Sequence, residues 1–521
     1  MRSPTYVIFL WHMHQPLYRV PPRQEYYLGW VRLHAIKDYY GMAALLDKFS
    51  KVKATFNFSG VLLEQLMDYT YGKKDDYYLK LTLKDPNDLA RKERDFILTR
   101  FFSVNFERHI KPYPRYAQLY QKKSTPKKVT PQDLLDLQVF FNLSWFHPFS
   151  IKSDKCLRAL RRKGKDFSSD DKQYIVEKQY KIMSEIFPLY KRLLTEKRIE
   201  ITITPFYHPI LPLIHDTDIL KDFSYLKKPV LRCAWPDDCH WHLKRSKQLF
   251  KEIFERQVKG SWPSEGSISE GVAKIYKQEG FNWIGLDEGV LFKSLITDYV
   301  SYDIIKNQRH LIYRPYNFDG LNMFFRDRNL SDAISFIYQG WDPIFASNDL
   351  LEHFKRIHYY TKKLFKKRVI TIIMDGENAW EYYRNNGIEF LENVYANLEK
   401  SPVLSTTLPS SFLARQESKR LERLGAGSWI NNDFGVWIGS KENNANWYTL
   451  RRIRDLIEKN KKNIKNLDKL MEYFYIIEGS DWNWWNTFDE PSGDFKIIFL
   501  SYIREIYKKL GKKAPLYLTK K

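Results

Sequence analysis

Apolar and polar positions along the first four hundred residues fall into two alternating patterns. Short β-branched and aromatic runs at 6–11, 53–58, 200–204, 282–286, 321–325 and 369–374 either end on a polar residue, Thr204, or lead directly into one: His12, Ser59, Asp287, Arg326 and Asp375. Bounded runs of this length read as buried strands. Between them, residues 237–258, 271–277, 331–338 and 390–398 carry apolar side chains at helical spacing. Strand–helix alternation implies a parallel sheet, and over this length a closed or distorted β/α barrel is favoured over an open sheet. Barrel chemistry sits at the C-terminal strand ends, where His12, His14, His208 and Asp375 fall. After about Ser401 strand signals fade. Leu467, Leu470, Met471 and Phe474, then Ile498, Phe499, Tyr502, Ile503 and Ile506, follow a helical repeat. The expected organisation is a catalytic β/α barrel over residues 1–400 and a helical domain over 401–521.

Composition narrows the function classes. The chain has 521 residues, 43% of them hydrophobic and 28% charged, with no apolar run near the roughly 20 residues that cross a bilayer. No membrane partner is expected. The apolar run at 6–11 is too short for a signal-peptide core, and His12-Met13-His14-Gln15-Pro16 follows it in place of a small-residue cleavage site. Cys156, Cys233 and Cys239 form an odd set at spacings that suit no disulfide framework, so a reducing, cytoplasmic location is expected. The formal charge of +23 raises nucleic-acid binding, but the Lys and Arg alternate with acids along amphipathic helices. A solvated basic surface is the better reading. Aromatic content is 16%, with 15 Trp, 35 Tyr and 34 Phe, which suits a cleft whose rings stack on sugar faces.

Several motifs carry candidate chemistry. Gly425-Ala426-Gly427 lacks the third glycine and the strand–loop–helix setting of a dinucleotide loop, and neither a phosphate loop nor a nucleophile elbow is present. Trp262-Pro263-Ser264-Glu265-Gly266 places a carboxylate just before a helix, where it reads as a barrel-rim acid or a helix N-terminal Glu. Met374-Asp375-Gly376-Glu377-Asn378-Ala379-Trp380 delivers Asp375 at the end of an apolar strand, a costly place for a carboxylate without a role. Glu265 and Asp375 together would meet the need of retaining glycoside hydrolysis for two carboxylates about 5 to 5.5 Å apart. Glu478-Gly479-Ser480-Asp481-Trp482-Asn483-Trp484-Trp485 sets an acid among tryptophans, as a sugar-binding lip would. His12 and His14 share one face of a strand, a metal-ligand pattern that His208 could join, but spacing supplies no third or fourth ligand. His240-Trp241-His242 reads as a surface pair, because i and i+2 diverge on a helix.

These segments resemble, in order, the five motif regions of glycoside hydrolase family 57. His14-Gln15-Pro16 is similar to the first, Thr204-Pro205-Phe206-Tyr207-His208-Pro209 to the second, and Trp262-Pro263-Ser264-Glu265-Gly266-Ser267 to the third. The segment around Asp375 is similar to the fourth and that around Asp481 to the fifth. The resemblance implies an incomplete (β/α)7 barrel followed by a C-terminal helical region. It implies a retaining mechanism on α-glucan oligo- or polysaccharides, with no metal or organic cofactor. By motif it gives Glu265 the nucleophile role and Asp375 the acid/base role. His12, His14, His208, Trp262, Asp481 and Trp484 take places around the sugar. The run from Asp375 to Tyr383 looks most like the α-amylase and amylopullulanase group, so hydrolysis is expected over 4-α-glucanotransferase or branching activity.

Two rivals remain. A zinc-dependent α-mannosidase-like hydrolase also has an early His-x-His, but an Asp follows it there and Gln15 follows here. A non-catalytic carbohydrate-binding protein would need neither Glu265 nor Asp375. The two acids have different tasks, so their environments should separate their pKa values, with Asp375 the higher.

Overall fold

The computed structural model describes residues 3–515 apart from 24, 73, 125–128, 230, 298–300 and 489–491. Its strands are β1 (Thr5–Met13), β2 (Ala54–Ser59), β3 (Ile199–Thr204), β4 (Gly260–Ser261), β5 (Trp283–Asp287), β6 (Tyr316–Phe318), β7 (Leu321–Arg326), β8 (Arg368–Asp375), β9 (Leu404–Thr406) and β10 (Lys419–Arg420). Helices include α1 (Gly60–Thr70), α2 (Ser169–Thr195), α3 (Pro236–Phe254), α4 (Glu270–Gln278), α5 (Pro343–Thr361) and α6 (Ile388–Lys400). Beyond these lie α7 (Lys441–Asn460), α8 (Leu467–Ile477), α9 (Asp481–Thr487) and α10 (Asp494–Lys509).

The strands form one sheet in the order β10-β6-β7-β5-β4-β3-β2-β1-β8, with β9 also on β1, and every pairing except β6–β7 is parallel. The seven strands from β7 to β8 form the barrel wall. Among the described residues no ladder joins its two ends. Instead the Asp327 N–H donates to Thr371 O at 2.9 Å and Arg326 Nε to Ile373 O at 2.7 Å, so the fold is an incomplete (β/α)7 barrel.

Period-2 alternation sorts the strand residues. Ile8 and Leu10 of β1 pack with Trp262, Trp283, Phe324, Val369, Ile373 and Phe412 inside the barrel. Val7, Phe9, Trp11 and Met13 face the other way, into the larger core under the helices. On β2 and β3 the inward positions are polar, Asn57, Ser59, Thr202 and Thr204, all fully buried. The barrel is therefore apolar at its base and hydrogen-bonded towards its C-terminal rim.

Two expectations about elements change. Strands do not end at Ser401: β9 hydrogen-bonds to β1 and β10 to β6, and helices take over only from Lys441. These strands have two or three residues, too few for alternation to show. The helix expected over 331–338 is a short α-turn (Arg328–Asp332) that runs into a π-helix (Ala333–Ile337) and a 3₁₀ turn (Tyr338–Gly340). Among the described residues no helix is long and apolar enough to cross a membrane. The three cysteines are free, Cys156 exposed and the other two buried.

Candidate active site

The alternation that buries Ile8 and Leu10 carries His12 to the barrel rim, and on β8 the inward stripe through Ile373 ends on Asp375. The ladder pairs His12 directly with Asp375, and the Gly376 N–H donates to His12 O at 2.6 Å. The neighbouring strand β2 holds the histidine rings. Asn57 Oδ1 lies 2.6 Å from His12 Nδ1, and Ser59 Oγ lies 2.8 Å from His14 Nδ1.

Glu265 is presented by a 3₁₀ turn (Ser264–Gly266) just after β4, ahead of α4, and is not a helix N-terminal residue. Its backbone is left-handed, with φ 56°, a conformation that costs a non-glycine residue about 1–3 kcal/mol and collects at functional sites. Gly266 follows at φ 60°, and a Cβ there would come within 2.7 Å of the Trp262 ring. The segment 425–432 clamps this turn: Ile268 and Gly427 form an antiparallel bridge, and the Trp429 N–H donates to Glu265 O at 3.0 Å. The Trp429 indole N–H donates to Glu265 Oε2 at 2.7 Å.

The helical region reaches the rim through the segment before α9. The Ser480 N–H donates to His208 O at 3.1 Å, Ser480 Oγ lies 2.8 Å from His208 Nδ1, and Gly479 bridges Pro209. This places Asp481 with both carboxylate oxygens 3.1 Å from His14 Nε2. The His14 and His208 rings stack at 3.8 Å. His208 has a left-handed backbone, φ 57°. Of the expected surface pair on α3, His242 proves to be part of this anchorage and His240 is tied to the end of α4. His242 is fully buried with Nε2 3.0 Å from Glu478 Oε2, and half-buried His240 has Nδ1 2.6 Å from Glu279 Oε1. The two rings diverge as helix geometry requires, but both directions lead to packed neighbours.

His12, His14, Glu265, Asp375, Asp481 and Trp484 all line one cavity of about 700 Å³. The fold thus brings together six of the eight residues singled out from sequence. The other two stand behind the wall. His208 is fully buried beneath His14, 3.8 Å from Glu265 Oε1, and Trp262 is fully buried under the Glu265 turn. Trp262 is a support for the turn because β4 alternation sends it into the apolar interior.

Burial, with the nearby Asp375 carboxylate, pushes the Glu265 carboxyl up to about 8, against the Trp429 hydrogen bond. Burial also raises Asp375, opposed by the hydrogen bond from Asn378 and by the Arg326 guanidinium. Burial raises both carboxyls, so each is displaced upward from the ordinary carboxylate range. Both acids are desolvated in the cavity and repel each other, so the proton belongs to the pair. Burial, with His14 nearby, lowers His12 to about 3, and burial holds His208 well below the usual imidazole range. These two rings are neutral.

Several residues around the site were given no role in it by the sequence reading. Trp429 sits in the segment set aside as a failed dinucleotide loop. Its Gly425-Ala426-Gly427 lead-in was the available signal. Arg326 lies 5.3 Å from the Trp429 ring and ties β7 to β8. Glu377 is buried and accepts from His14 N–H at 3.2 Å and Gln15 Nε2 at 3.0 Å, while the Tyr18 hydroxyl donates to Gln15 Oε1 at 2.5 Å. Spacing had supplied no third metal ligand, yet the fold brings Asp481 to His14 and His208, with one ligand atom from each within 4.8 Å of the others. His208 Nε2 is buried without a hydrogen-bond partner.

The family model for glycosyl hydrolase family 57 matches residues 8–425. The curated "Putative alpha-amylase" of Methanocaldococcus jannaschii is 23% identical over 361 residues, 64% of this chain and 68% of that protein. Among solved structures, the branching enzyme of Thermococcus kodakaraensis aligns over 99% of this chain and 93% of its own, at TM-score 0.61 and 17% identity. The α-amylase AmyC of Thermotoga maritima aligns over 100% and 96%, at TM-score 0.61 and 13% identity. At such identities the structural likeness is one of fold.

Proposed function

The chain belongs to glycosyl hydrolase family 57, and from that premise we propose that it is a retaining hydrolase that cuts the α-1,4 linkages of α-glucans. The observation that carries this reading is the pair of part-buried carboxyls, Glu265 and Asp375, facing one cavity with aromatic rings beside them. In the double displacement, one carboxylate attacks the anomeric carbon while the other protonates the leaving oxygen, then serves as base to water. Glu265 suits attack. Trp429 fixes its Oε2, which leaves Oε1 for bond formation and pre-orients the group without reorganisation at the moment of reaction.

Asp375 suits proton transfer. It lies at a strand end, one of its oxygens accepts from Asn378 Nδ2 at 3.0 Å, and burial favours its protonated form. His12, His14, Asp481 and Trp484 offer donors, acceptors and a ring face to the sugar in the same cavity. Incubation with amylose and pullulan, with chromatography of the products and NMR of their first-formed anomer, tests the reading. Short α-configured products support it. β-configured products refute the retaining route, and products longer than the substrate indicate transfer to a second glucan, as in 4-α-glucanotransferase or branching activity.

One observation favours a second reading. The His14, His208 and Asp481 trio has the ligand types of a zinc site. Dialysis against EDTA separates the two. Full retained turnover supports the carboxylate pair, and loss restored by zinc supports metal-dependent hydrolysis.

A further inference from the structure

Alternation along β7 sends Leu321, Met323 and Phe325 into the larger core and Phe324 into the barrel interior, so Arg326, two positions on, also faces inward at the rim. The residue is only 4% exposed. It fills the seam between the two ends of the barrel wall. Its Nε donates to Ile373 O at 2.7 Å, on the strand that ends in Asp375. Its Nη2 donates to Asp332 Oδ1 at 2.5 Å, and its Nη1 lies 3.6 Å from Asp287 Oδ2. A planar guanidinium engaged at all three nitrogens is fixed in orientation as well as in place.

This guanidinium lies over the Trp429 ring, 5.3 Å from its centroid, and buried Trp262 meets the same ring edge-on at 5.3 Å. The indole so held is the one whose N–H donates to Glu265 Oε2 at 2.7 Å. The segment that carries Trp429 is tied to the same group of charges, because Arg328 donates both to Asp287 and, at 2.6 Å, to Asn432 Oδ1. Arg326 also faces the second acid. Burial raises the Asp375 carboxyl, while the Asn378 hydrogen bond, the nearby His14 ring and the Arg326 guanidinium oppose the rise. Glu265 and Glu377 are the acids that feel the Asp375 charge in turn. Packing alone would be served by an apolar residue continuing the inward stripe of Phe324. A buried cation is costly even when paired, so its presence at this seam calls for a task that an apolar side chain cannot perform.

We propose that Arg326 is a positioning residue shared by both acids, aligning Glu265 through the Trp429 ring and setting a fixed positive charge beside Asp375. The proposal rests on the two-carboxylate reading of the site. Arg326 also lines a chamber of about 560 Å³ that shares Asp375 and Trp429 with the main cavity, so direct contact with substrate is the rival role, and the test includes that outcome.

The experiment measures kcat, KM and pH profiles on amylose for the full-length wild type, Arg326→Lys, Trp429→Phe and the double variant. Lysine keeps the charge and loses the planar face, so kcat should fall about five- to twenty-fold with KM within about two-fold of wild type. In the Trp429→Phe background the same change should cost less than about two-fold, because the indole N–H through which it acts is gone. Arg326→Met removes the charge as well, and the basic limb of its kcat/KM profile should move to higher pH while that of Arg326→Lys stays in place. Equal losses in the two backgrounds, or a wild-type kcat in Arg326→Lys, overturn the proposal and leave the arginine a brace of the barrel seam. A raised KM with unchanged kcat also overturns it, and makes the arginine a substrate contact. An unmoved limb in Arg326→Met overturns the part that concerns Asp375, and the lysine cycle decides by itself if the methionine variant does not fold. A wild-type protein that is inert on every α-glucan, or whose turnover requires zinc, removes the two-carboxylate reading and the proposal with it.

Discussion

The Trp429 indole N–H donates to Glu265 Oε2 at 2.7 Å across 164 positions of sequence. A hydrogen bond to a charged group contributes about 1.5–3 kcal/mol. Trp429→Phe keeps the ring and removes the donor. Its kcat should fall about ten- to a hundred-fold with little change in KM, because the bond orients the attacking group. The bond also holds the Glu265 pKa down, so its loss should move the acidic limb of the kcat/KM profile to higher pH. A variant with wild-type kcat and an unmoved limb would mean that the contact is only structural.

Activity should be bell-shaped in pH, since the reaction needs one carboxyl of the pair ionised and the other protonated. Both groups are raised, Glu265 to about 8, so the singly protonated pair persists into the neutral range and the optimum should lie above that of ordinary exposed carboxyls. The limbs report the pair and not its members. Replacement assigns the members. Glu265→Ala with azide should yield a β-glucosyl azide by attack from the vacated face. Asp375→Ala should still form the glycosyl-enzyme from aryl glycosides with good leaving groups, and azide should then trap it as the α-product. One anomer from both variants would contradict the assigned roles.

Glu265 should also cost the protein stability at high pH. Its folded pKa, about 8, lies above the ordinary 4.5, so folding favours the protonated acid. The stability this gives is present in full below pH 4.5 and is lost as pH rises through 8. Its side chain keeps 15% exposure and faces an open cavity, so the penalty is on the order of 2 kcal/mol and not the full shift. Glu265→Gln stays neutral and can still accept from Trp429. Its melting temperature should exceed that of wild type by a few degrees at pH 9 and match it at pH 4. An equal gain at both values would show that the carboxyl charge is not the cause.

The contribution of the helical region is best tested at Asp481. Truncation at Ser401 would also remove β9, Trp429 and the Gly427 bridge, so loss of activity would say little about the sugar site. Asp481→Asn preserves shape and takes away the charge facing His14. We expect kcat/KM on maltoside substrates to fall about ten- to a hundred-fold, the cost of one charge-assisted hydrogen bond, while the melting temperature shifts by less than about 2 °C. Retention of full kcat/KM would leave the aspartate a structural role only.

The sequence by itself determined six of the seven barrel strands, all but the two-residue β4, and singled out six residues that line the main cavity. Continuous apolar runs can be satisfied only by burial on both faces of a strand, so β1 and β8 were legible, and with them the strand ends that carry His12 and Asp375. Helical spacing likewise gave α3, α4 and α6, because each buries one face against the sheet. Tertiary structure alone decided what meets across the rim. Trp429 bonds Glu265, and Asp481 faces His14, through contacts between distant segments that no local pattern encodes. His242 appeared exposed because helical position says only which way a ring points, and Glu478, its partner, lies 236 positions away. The two raised carboxyls follow from the same cause: desolvation and mutual repulsion are properties of the cavity, which the chain acquires only when it folds.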